Sequence, residues 1–132
     1  MRIVGSLIAL LLAGQAWALP TQSYSRAQTF AVCSGHMSAL ALHQSKARDA
    51  QASLSGALAR IFEELAEAVR PDAMADGIQE KDTRFWRNEA WAEVTVLWTQ
   101  AYLSFDRTTA MRASAQMAER VRGCRALVLG AD

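Results

Sequence analysis

The stretch DTRFWRNEAWAEVTVLWTQAYLSF, Asp82–Phe105, decides the fold class. Trp91, Val94, Trp98, Tyr102 and Phe105 recur at intervals of three or four, so a helix of about 3.6 residues per turn lines them up on one side. Asp82 or Thr83 offers the side-chain oxygen that opens such a helix. This aromatic line is the densest core signal in the chain. A second apolar line, Phe85, Ala92, Val96 and Leu103, is turned well away from Trp91 and Trp98. An edge helix of a small bundle normally shows one apolar face. Two faces imply that this helix is flanked on both sides within its own fold, offers one side to a partner, or lines a small-ligand groove. Phe85, Trp86, Val96 and Leu103 are the partner-facing candidates.

Working outward, the same spacing recurs. Leu54, Leu58, Ile61, Phe62, Leu65 and Val69 form one stripe, expected to end at Arg70 because Pro71 disfavours helical geometry in the residue before it. Residues 71–82 read as a loop, in which Asp72 caps a single turn and Gly77 ends it. Nearer the amino terminus, Phe30, Cys33, Met37, Leu40 and Ala41 place a helix over about Ser25 to Gln44. The polar run Ser45–Ser53 fits a turn or continued helix equally well. After a turn capped by Asp106 or Thr108, Ala110, Ala113, Met117, Val121, Cys124, Leu127 and Val128 mark a fourth helix. Its small residues suit the bulky rings of the third. No stretch alternates as a strand does, and Ala, Leu, Met, Arg, Glu and Gln fill most of the chain. The reading is all-α: an up-down-up-down four-helix bundle of one small domain over residues 19–132.

Residues 1–18 read differently. Met1 and Arg2 precede an apolar run from Ile3 to Ala13, and Ala16-Trp17-Ala18 fits the small-x-small rule of a signal peptidase. An uncleaved membrane anchor is the alternative, but a spanning helix needs about 20 apolar residues, and Gly14 and Gln15 interrupt this one. A signal peptide implies a periplasmic or secreted protein with no stable membrane insertion after cleavage. There disulfides persist, so Cys33 and Cys124, 91 positions apart, are expected to bond. In the bundle both fall at the end where the first and fourth helices meet. Two free thiols holding a metal are the other reading. Cleavage also removes Arg2, one of 14 basic residues, leaving 13 against 13 acids. A chain without net positive charge and with dispersed arginines gives no electrostatic basis for nucleic-acid binding.

Catalytic and cofactor motifs are weak. Neither His36 nor His43 has an acid three residues before it, which excludes the Glu-x-x-His pairs of di-iron bundles. Cys124 is followed by Arg125, Ala126 and Leu127, which excludes covalent haem attachment. A copper or non-covalent haem site built on His36, His43 and Met37, with Met74, Met111 or Met117 as further thioethers, is the alternative function, because imidazole and thioether suit those metals. The carboxylate pairs Glu63/Glu67 and Glu89/Glu93 read as solvated faces. Without a nucleophile elbow or phosphate loop, the expectation is a non-enzymatic binding or interaction module without a cofactor, meeting a protein partner or a second copy through the third helix.

Overall fold

The computed structural model describes residues 22–130, and within them the chain forms four α-helices and no strand: α1 (Ser23–Lys46), α2 (Ala52–Ala75), α3 (Glu80–Leu103) and α4 (Arg107–Leu129). The expected all-α four-helix bundle is present. The signal-peptide expectation falls on residues 1–18, outside the described residues.

α1 is the central helix. Five consecutive residues, Cys33 to Met37, are buried, which requires neighbours on every side. α2 runs back along it: Ser55 meets Gln44 near the start of α2, Phe62 meets Phe30 midway, and Ala73 joins Ala27 at the far end. α3 lies parallel to α1, with Tyr24 against Trp86, Gly35 against Arg87 and Ala90, and His43 against Thr95. α4 runs back along α3, and Cys124 bonds to Cys33 of α1 with 5.5 Å between the Cα atoms. The shared core holds Phe30, Met37, Leu40, Leu58, Phe62, Val94 and Met117.

The closest helix approach explains why the aromatic line of α3 is not its core face. A Cβ at Gly35 would overlap the carbonyl oxygen of Arg87 and stand 2.9 Å from the Cβ of Ala90, so α1 packs on α3 backbone to backbone. Rings do not fit such an interface. Ala90, Val94 and Leu97 face it, Trp98 is half-buried at its edge, and Trp91, Tyr102 and Phe105 are exposed. The inward face is therefore rotated by roughly a fifth of a turn from the expected stripe, with Val94 common to both. α4 keeps its expected side, with Ala113, Met117 and Cys124 buried and Val121, Leu127 and Val128 packed against them.

α2 also departs from expectation by continuing through Pro71 to Ala75. A proline inside a helix costs about 3 kcal/mol in lost hydrogen bonding and ring clash. The extra turn seats Ala73 with Ala27 and Ile78 in a second small cluster, which Val69 and Trp86 border, and this burial offsets the cost. Gly77 (φ 97°) then ends the segment in the left-handed region that glycine favours. The open question at Ser45–Ser53 resolves as a turn: Asp49 N–H donates to the Gln44 carbonyl and Gln51 N–H to Asp49 Oδ1. Asp106 caps α4, accepting from the N–H groups of Thr108 and Thr109.

Candidate functional site

Two regions gather the chemistry-bearing residues, and they lie on different faces of α3. The first is the seam where α1, α3 and α4 meet. Glu93 Oε2 accepts from His36 Nε2 at 2.8 Å, while its Oε1 accepts from Arg120 Nε at 2.9 Å. An ionised carboxylate only accepts, so the His36 proton sits on Nε2 and the bare Nδ1 faces Cys124 Sγ at 3.9 Å. Burial pulls the His36 pKa below its ordinary value, outweighing the attraction of Glu93. Burial also pushes Glu93 upward, but the hydrogen bonds from Arg120 and His36 prevail and hold its carboxyl below the usual range. The result is a neutral imidazole bridging to a carboxylate that is itself clamped by a guanidinium. Both sulfurs beside it are bonded to each other, so the group ties three helices together.

His43, two turns along, repeats the tie at lower burial. Its Nε2 lies 3.1 Å from Thr95 Oγ1, and its ring stacks on Trp98 at 5.4 Å and 15°. Burial and then Lys46 lower its pKa. Met37 is fully buried in the core. The three residues of the copper or haem alternative thus each have their own protein neighbours, and no group of three or more His, Cys, Asp or Glu side chains among the described residues is placed to hold a metal ion.

The second region is the outward face of α3. Phe85 is 57 % exposed, Val96 53 % and Leu103 71 %, and Ala92 lies between them in solvent. They stand opposite Ala90, Val94 and Leu97, so the second apolar line is not flanked within the fold. Trp86 is half-buried, edge-on to Tyr24 at 5.4 Å, and borders the Ala27 cluster, yet it lines the same groove as Phe85 and Val96. An open groove of about 910 Å³ runs beside this face, floored by Phe85, Ala92, Val96 and Leu97 and edged by Val32 of α1 and Gln116 of α4. Glu89 and Glu93 both border it. Of this acidic pair, Glu89 is exposed while Glu93 is drawn inward by His36 and Arg120, so the two carboxylates do different work. Phe105, after the end of α3, and Met111 of α4 are also exposed.

The sequence reading missed the His36–Glu93–Arg120 tie. Its members are 57 and 27 positions apart, and no helical spacing links residues on separate helices. The one available signal was that Glu93 falls between the two apolar lines of α3, where a carboxylate borders the core.

With this geometry in hand, comparison with protein-family models, curated proteins and solved structures finds no match to the chain. No helix among the described residues is long and apolar enough to cross a membrane.

Proposed function

We propose that the protein is an exported, disulfide-clasped helical module whose work is to dock another helix on the outward face of α3. The observation that carries this reading is the exposure of Phe85, Val96 and Leu103 along one line of a helix whose opposite face already supplies the core. Apolar side chains aligned over several turns attract a partner, whereas singly scattered ones do not. Ala92 leaves room for a partner side chain between Phe85 and Val96, and the adjoining groove widens the seat. Trp86, held edge-on by Tyr24, lines that groove beside Phe85. Export rests on the amino-terminal leader pattern and agrees with a buried disulfide that needs oxidising surroundings to form.

The test is a photo-crosslinking amino acid placed at Val96, with the same group at Glu64 on the exposed side of α2 as the control, in cells that export the protein. A crosslinked product from position 96 and none from position 64 is expected. No product from 96, or equal products from both, overturns the reading.

A further inference from the structure

We infer that the occupant of the α3 face is a second copy of this chain, its α3 antiparallel to the first; this rests on the docking function proposed above. The outward positions Phe85, Glu89, Ala92, Val96, Thr99 and Leu103 are spaced four, three, four, three and four, the repeat that lets one helix seat along another. Reversed upon itself about Val94, this series pairs Phe85 with Leu103, Glu89 with Thr99 and Ala92 with Val96. Large apolar groups meet, a small residue meets a branched one, and the only charge in the seam meets a hydroxyl. A two-fold dimer requires such self-complementarity, residue i meeting j while j meets i. The parallel arrangement instead sets Glu89 against Glu89, a like-charge contact at the interface.

Charge outside the seam favours the same register. The Glu93–Arg120 hydrogen bond fixes how α4 runs back along α3. Arg112, eight residues before Arg120, therefore lies level with the region of Ala101. It is also one turn before Gln116, which edges the groove, so it stands on the groove side of α4. The two-fold carries the region of Ala101 onto that of Arg87 in the other copy and keeps the groove sides together. Arg112 of each copy thus comes within a turn of Glu89 of the other, giving two symmetry-related pairs. With Arg2 lost to leader cleavage, 13 bases balance 13 acids and add little repulsion between copies.

The experiment is sedimentation equilibrium of the exported chain, disulfide intact, over a wide concentration range. The expected result is a two-chain species that dissociates on dilution and is lost in Val96→Arg with helical circular dichroism unchanged. Glu89→Arg and Arg112→Glu should each weaken association by about tenfold, since every dimer holds the pair twice, and the double variant should recover most of that loss. A parallel dimer gives no such recovery. A single-chain mass at every concentration, or a double variant no better than the single ones, overturns the self-pairing. If that single-chain protein still crosslinks to a different protein from position 96, the docking function stands without it. If it crosslinks to nothing, both fall.

Discussion

α1 and α3 have the same length, 24 residues, and sort their side chains in opposite ways. α1 buries Ser34, His36 and Gln44, and satisfies the last two through Glu93 and Ser55. α3 leaves Phe85, Val96 and Leu103 in solvent while Ala90 and Val94 hold its inner face. A helix packed against three others keeps little outer side along its middle, so even its polar groups are drawn in and must find partners. A helix at the edge needs only one apolar face for folding. The polar residues of α1 therefore report on architecture, and the outer apolar residues of α3 are the ones that folding does not account for.

The comparison can be broken first at the clasp. Cys33→Ala with Cys124→Ala should cost about 4–5 kcal/mol of stability in denaturant unfolding, the loop-closure value for a bridge spanning 91 residues. Loss of less than about 1 kcal/mol would mean that packing and the Glu93–Arg120 bond hold α4 in place without the bridge. The contrast itself is tested by single truncations. Met37→Ala should lose about 2–5 kcal/mol, whereas Phe85→Ser and Leu103→Ser in dilute protein should stay within about 0.5 kcal/mol. Comparable losses would show that the outer line of α3 holds the fold after all. Gly35→Ala sharpens the account of why α3 turns small residues inward. The substitution gains about 1 kcal/mol of helix propensity. Its methyl group meets the Arg87 carbonyl, however, and α1 or α3 must shift at about 1–3 kcal/mol. A net loss in thermal midpoint is expected, and a gain would contradict the close approach.

The smallest effect is the pH dependence of the His36 tie. Burial holds its folded pKa below the ordinary 6.5, so the unfolded chain takes up the proton first as pH falls. Stability should decline from about pH 6.5 downward, level off below the folded pKa, and show no His36 contribution above that window. Glu93, whose carboxyl lies below its ordinary 4.5, adds a loss at more acidic pH as it protonates. In His36→Gln the upper part of the decline should shrink to the share that His43, also held below 6.5, contributes, leaving the acidic part. An unchanged profile would place the titrating group elsewhere.

Much of the fold was legible because it depends on spacing along one helix. The four helices, the faces of α1 and α4, the Asp106 cap and the Cys33–Cys124 pair all follow from periodicity and topology. What escaped depends on contacts between helices. The inner face of α3 was assigned to its largest rings, but Gly35 brings α1 too close for them, a fact written in α1 and not in α3. Pro71 ended α2 on local grounds, whereas burial of Ala73 carried the helix past it. Phe85, Val96 and Leu103 were picked out by their spacing, and the structure leaves all three exposed. Trp86, chosen with them, lies at a different angle on the helix and rests on Tyr24. Glu93 was read with Glu89 as solvated surface, since nothing in its own helix announces His36.

The central claim is that the outward side of α3 is covered when the protein is at work. Hydroxyl-radical footprinting tests it most directly, comparing the protein in its exported setting with the same protein purified and diluted. Modification of Phe85, Val96 and Leu103 should fall in the exported setting, while exposed Met74 on α2 is modified equally in both. Equal modification of all four residues in the two settings would contradict the account.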